Sequence, residues 1–120
     1  MAVGITQKMY PEEFIVESAG IAPYGEKAAP EAIEVMQSDF DVDISGHQPQ
    51  GVTMSLLSNF DYIIALDPYV FDHLKIYFRI TQEKLIKWRI DDPFTKDIKV
   101  FRKCARKIQT SIKKTLDALT

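Results

Sequence analysis

The stretch Asp61-Tyr62-Ile63-Ile64-Ala65-Leu66-Asp67-Pro68 constrains the fold of this chain more than any other. Its centre is apolar without alternation, the pattern of a parallel strand covered on both faces rather than of a strand with one wet side. It runs straight into Asp67-Pro68, an acidic cap followed by proline at the first helical position. A buried strand feeding directly into a helix is half of a βαβ unit, and the parallel sheet it implies needs a crossover connection between neighbouring strands.

The other segments supply such alternation. Met1 to Tyr10 reads as the body of a helix, and Phe14-Ile15-Val16-Glu17-Ser18 reads as a strand ended by Ala19-Gly20 and a loop holding Pro23 and Gly25. Pro30 suits the first turn of a second helix, along which Ala32, Ile33 and Met36 recur at helical spacing. Gly46, Pro49 and Gly51 break the chain, and Thr53 can cap a short helix that buries Leu56 and Leu57. Leu85, Ile86 and Trp88 suggest another strand. Asp97 caps a last helix whose Ile98, Phe101, Cys104, Ala105, Ile108, Ile112, Leu116 and Leu119 form one apolar stripe. The class is therefore α/β with a parallel sheet. Ligands in such sheets bind beyond the carboxyl ends of the strands. Three points fall there: the loop from Ser18, Asp67, and the Asp91-Asp92-Pro93-Phe94 segment.

Bulk properties narrow the function. A length of 120 residues predicts one domain, large enough for a real core but not for two. A net charge of -2 gives no electrostatic case for nucleic acid or an anionic membrane surface. No apolar run approaches the roughly 20 residues that span a bilayer, and no signal-peptide pattern is present. The single cysteine, Cys104, excludes an internal disulfide framework and a multi-cysteine zinc site. A reduced, cytoplasmic, soluble domain without metal or cofactor is the expectation.

Asp92, just past a strand in Ile90-Asp91-Asp92-Pro93-Phe94, has two readings. A carboxyl at a strand end on a partly shielded loop can act as a general acid. The same residues also spell an Asx-Pro turn, which the spacing favours. His47, after Ile44-Ser45-Gly46, fits a structural hydrogen bond better than a catalytic base, and His73 reads as a helix-surface residue. Cys104 lies mid-helix with Phe101 and Ile108 a turn away, which predicts a packed and inert thiol. Lys99, Arg102, Lys103, Arg106, Lys107, Lys113 and Lys114 cover the opposite face of that helix and read as a solvated surface.

Taken in order, Val16-Glu17-Ser18-Ala19-Gly20-Ile21, Asp43-Ile44-Ser45-Gly46-His47, Phe60 to Asp67 and Asp92-Pro93-Phe94 resemble the low-molecular-weight protein tyrosine phosphatase family, which shares its fold with thioredoxin-coupled arsenate reductases. The resemblance covers essentially the whole chain. It implies a three-layer αβα fold and a cysteine-dependent phosphomonoesterase acting on a phosphotyrosine protein or a small phosphomonoester. Arsenate reduction is the alternative within the fold, and a non-enzymatic pseudo-phosphatase binding module the alternative outside catalysis. Residue by residue, the resemblance makes Asp92 the general acid and reverses the preference for a plain turn. It makes Ser18 and His47 braces of the phosphate-binding loop, and it places Tyr24 and Phe94 in the substrate cleft.

The family's defining motif is a strand, then a loop of a cysteine, five intervening residues and an arginine, then Ser-Pro and the first helix. Such a loop binds a phosphate dianion through backbone N–H groups and a helix N-terminus, which also depress the thiol pKa. Met1-Ala2 looks like the Met-Ala that follows Ser-Pro, so the resemblance puts nucleophile, arginine and first strand before residue 1. The 120 residues by themselves are then expected not to hydrolyse phosphate esters, and the sheet is expected to shrink to about three strands. Its vacant slot would be closed by direct pairing of the flanking strands, by another chain in a homo-oligomer, or by a swapped segment.

Overall fold

The computed structural model describes residues 1–21, 28–93 and 96–119. In chain order it contains α1 (Ala2–Met9), α2 (Pro30–Phe40), α3 (Met54–Ser58), β1 (Ile63–Ala65), α4 (Pro68–Tyr77), β2 (Leu85–Lys87) and α5 (Ile98–Leu119). The helix starts follow the caps. Thr53 Oγ1 accepts from the Leu56 N–H at 3.0 Å, Asp67 Oδ1 from the Val70 N–H at 2.8 Å, and Asp97 Oδ1 from the N–H groups of Lys99 and Val100 at 3.0 and 3.2 Å. Each bond satisfies one of the orphan donors of a first helical turn.

The strands β1 and β2 pair in parallel, with Ile63 opposite Leu85, Ile64 opposite Ile86 and Ala65 opposite Lys87. Pairing runs on beyond the strands, because the Trp88 N–H donates to the Ala65 carbonyl and the Ile90 N–H to the Leu66 carbonyl, both at 2.9 Å. Alternate side chains then serve two cores. Leu85 and Ala65 join Leu57 of α3 and Leu74 of α4 on one face. On the other, Ile64 and Ile86 pack against a cluster built by Ile5 of α1, Val35 and Met36 of α2, and Phe101, Ala105, Ile108, Ile112 and Leu116 of α5. This is the three-layer αβα arrangement, and the uninterrupted apolar run of β1 is explained by it.

One expectation fails. Phe14 to Ser18 forms no strand, and among the described residues the sheet has two strands rather than about three. The segment is extended in sequence pattern but meets no ladder partner; Ile15 is 88% exposed. Direct pairing of this segment with β1 does not occur either. What remains of its sheet character is one isolated parallel bridge, Gly20 with Gly51. A strand needs a neighbour to satisfy its backbone, and among the described residues Phe14 to Ser18 has no ladder partner.

The helical layer on the open side is closely packed. A Cβ placed on Gly4 of α1 would lie 3.0 Å from Met36 Cε, 3.2 Å from Val42 Cγ1 and 3.3 Å from Ile44 Cγ2, so α1 sits directly on α2 and the segment after it. Arg102 Nε donates to Asp39 Oδ2 at 2.9 Å, joining α5 to α2. The Trp88 Nε1–H donates to Thr115 Oγ1 at 3.0 Å, joining the end of β2 to α5. No described helix is long and apolar enough to cross a membrane.

Candidate active site

A cavity of about 350 Å³ lies beside β1, on the side away from β2, and opens at the carboxyl ends of the strands. Ile63 and Ala65 direct their backbone groups to β2, the first donating to the Lys84 carbonyl and the second accepting from Trp88. In a parallel ladder the residue between them turns its N–H and C=O the other way, so those of Ile64 face the cavity side. Ile64, Leu66 and Val70 make one wall, Ala19, Gly20 and Ile21 the opposite one, and Cys104 and Ile108 of α5 the floor. Met1 and Ala2 line it too, so α1 directs its amino end into the same space. A helix N-terminus favours an anion.

Three carboxylates, Asp67, Asp91 and Asp92, stand at the rim. Asp67 is committed to capping α4. Asp91 and Asp92 are carried there by the Ile90-to-Leu66 bond; Asp92 is an exposed residue and Pro93 after it is buried. The Cys104 thiol donates to the Asp91 carbonyl at 3.7 Å. Burial pushes that thiol up from its ordinary pKa, the Met1 amino group and Lys107 pull it down, and the carboxylates of Asp92 and Asp91 push it up, with a net rise. Cys104 is thus a buried, protonated member of the α5 stripe, as its spacing predicts.

Ser18 is exposed and immediately precedes the Ala19–Ile21 wall; its carbonyl accepts from Gln50 Nε2 at 2.8 Å. His47 is exposed in a turn closed by its own N–H to the Ile44 carbonyl at 3.1 Å, and it does not line the cavity. The start of that turn is shaped by Asp43, whose carboxyl accepts from the Ser45 N–H at 2.9 Å and is held below the usual carboxylate range by the Ser45 hydroxyl and backbone. Tyr24 and Phe94 lie outside the described residues. His73 is half-buried rather than fully exposed, tilted against Tyr77 with ring centroids 4.8 Å apart. Among the described residues no group of three His, Cys, Asp or Glu side chains could hold a metal ion.

The site therefore gathers a rim carboxylate, a helix amino end and a largely apolar slot at one place. The family model of the low molecular weight phosphotyrosine protein phosphatases matches residues 1–120. The chain belongs to that family. Its fold is that of solved members. The low molecular weight protein tyrosine phosphatase from T. tengcongensis superposes with a TM-score of 0.88 at 24% identity, over 98% of this chain and 88% of that one. Wzb from Vibrio vulnificus, solved in complex with benzylphosphonate, gives 0.81 at 26% identity, over 98% and 87%. The YwlE arginine phosphatase from Geobacillus stearothermophilus shares the fold at 0.86 and 19% identity, over 98% and 82%. No curated protein sequence matches the chain. Arsenate reduction is no better supported than phosphatase chemistry, and the buried Cys104 is a poor member of a thiol relay.

Sequence reading found Asp92 and Asp67 at strand ends but missed Gln50. A glutamine in a loop carries no signal of its own when its partner lies 32 residues away.

Proposed function

We propose that these residues are the scaffold and acid half of a phosphomonoesterase acting on phosphotyrosine. The position of Asp92 carries the reading: an exposed carboxyl on the rim of a cavity into which α1 points its amino end. Cleavage of an aryl phosphate ester leaves a phenolate, whose conjugate acid has a pKa of about 10, so a proton delivered to the leaving oxygen lowers the barrier. Asp92 is the donor. In this reading Ser18 and His47 brace the phosphate-binding loop, and the family resemblance assigns Tyr24 and Phe94 to the substrate cleft. The benzylphosphonate bound by the Vibrio relative has the shape of such a ring with its phosphoryl group.

The covalent half of the reaction needs a thiolate and an arginine. Within residues 1–120 the one cysteine is followed six residues on by Thr110, not by an arginine. The cavity beside Ile64 holds about 350 Å³, and in the working enzyme a strand carrying the nucleophile loop occupies it. The 120 residues alone are then inactive towards p-nitrophenyl phosphate. Joined to such a strand and loop, they turn the substrate over, and Asp92→Asn lowers kcat by about 10²- to 10⁴-fold. Turnover by the 120 residues alone would overturn the first statement, and an extended chain indifferent to Asp92→Asn would overturn the second.

A further inference from the structure

The segment ending at Ser18 has no strand beside it, yet Ala19, Gly20 and Ile21 stand as a defined wall of the cavity. The isolated Gly20–Gly51 bridge supplies part of the hold. Three hydrogen bonds with Gln50 and Val52 make up the contact. The Gln50 side-chain Nε2–H donates to the Ser18 carbonyl at 2.8 Å, the Gly20 N–H donates to the Gln50 carbonyl at 2.9 Å, and the Val52 N–H donates to the Gly20 carbonyl at 3.1 Å. We propose that Gln50 is a positioning residue, a two-point clamp whose backbone and side chain together fix Ser18 and the wall after it, and so set the width of the slot. The assignment rests on the phosphatase reading for what Ser18 does, though not for where the clamp holds it.

The clamp is rooted on the far side of the slot. Thr53, next after Val52, caps α3, and Leu57 of α3 is buried in the core shared with Ala65 and Leu85. Lys84 Nζ donates to the Leu57 carbonyl at 2.9 Å, and the Ile63 N–H donates to the Lys84 carbonyl at 2.9 Å. The wall at Ser18–Gly20 is therefore referenced, through Gln50 and α3, to β1 itself. Both walls share one frame, and the distance between them does not depend on an intervening strand. The amide orientation is unambiguous, because a carbonyl only accepts and the NH₂ of the glutamine must face it.

Glutamine suits this task. Alanine removes the side-chain bond but keeps the backbone ones. Glutamate keeps the shape and, ionised, presents an acceptor to an acceptor. Lysine restores a donor on a longer stem. The test is amide hydrogen exchange and the Ser18 carbonyl ¹³C shift in the 120-residue protein. Gln50→Ala and Gln50→Glu are expected to speed exchange at Gly20 and Val52 by about tenfold and to move the Ser18 carbonyl signal. Amides of Ala105 and Ile112 in α5 stay unchanged, and Gln50→Lys returns both readouts towards wild type. Unchanged Gly20 exchange in both variants, acceleration shared equally by α5, or no recovery with lysine would each overturn the clamp. No substrate enters the measurement, so a failed clamp and a failed phosphatase assignment show up in separate experiments.

Discussion

Phe14-Ile15-Val16-Glu17-Ser18 and Ile63-Ile64-Ala65-Leu66 are similar stretches of sequence with opposite fates. The second is a strand with Ala65 wholly buried; the first is unladdered, with Ile15 88% exposed. Intrinsic preference does not separate them, since both are rich in residues that favour strands. Neighbourhood does. Residues 63–66 have 84–90 within hydrogen-bonding distance on one side, whereas the first stretch has no ladder partner among the described residues, and only Ala19 to Ile21 after it line the slot. A strand is a property of a pair.

That contrast is easiest to break by truncating side chains on either side of it. Ile112→Ala, at a position 1% exposed in the core beneath the sheet, should cost about 2–5 kcal/mol in denaturant unfolding. Ile15→Ala should stay within about 0.5 kcal/mol. A comparable loss at Ile15 would mean that the segment is packed in solution and the contrast false. Gly4→Ala comes next: its methyl would press on Met36, Val42 and Ile44, and about 1–3 kcal/mol of strain exceeds the gain of about 1 kcal/mol from better helix propensity.

Asp67→Ala follows at about 1 kcal/mol, the worth of an N-cap, and it tests whether β1 owes its sharp exit into α4 to that cap. The smallest effect lies at the Tyr10–Asp117 pair, which does not line the slot. The Tyr10 hydroxyl donates to the Asp117 carboxylate, which raises the phenol to about 12 from 10.0 and holds Asp117 below its ordinary value. The favoured form is the neutral phenol, so its contribution is whole below pH 10 and is lost as pH rises through about 12. The Asp117 contribution is present above pH 3.8 and is lost on acidification. Ultraviolet titration should show a tyrosine ionising at about 12, and Tyr10→Phe should delete it.

Much of this was legible in the residues. The caps at Thr53, Asp67 and Asp97 and the α5 stripe are local patterns that formed as read, and the unalternated run at 61–66 formed a shorter strand, Ile63–Ala65. The Phe14–Ser18 strand was misread because a ladder is a contact between distant segments, and the pattern of one segment says nothing of whether the other is present. The same limit hid Gln50, whose partner is remote, and left His47 apart from the cavity although its turn residues were recognised. Asp92 was legible as a loop carboxylate; its place beside the amino end of α1 needed the fold.

The buried thiol has a use that its inertness conceals. Cys104 lies on the floor of the slot, is the one cysteine of the chain, and is tied to the carbonyl of Asp91. A reagent can reach it by the route a seated strand would block, so its alkylation rate is a built-in gauge of occupancy. Slow labelling reports a slot that is filled, faster labelling one that is open, with no probe introduced and no residue changed.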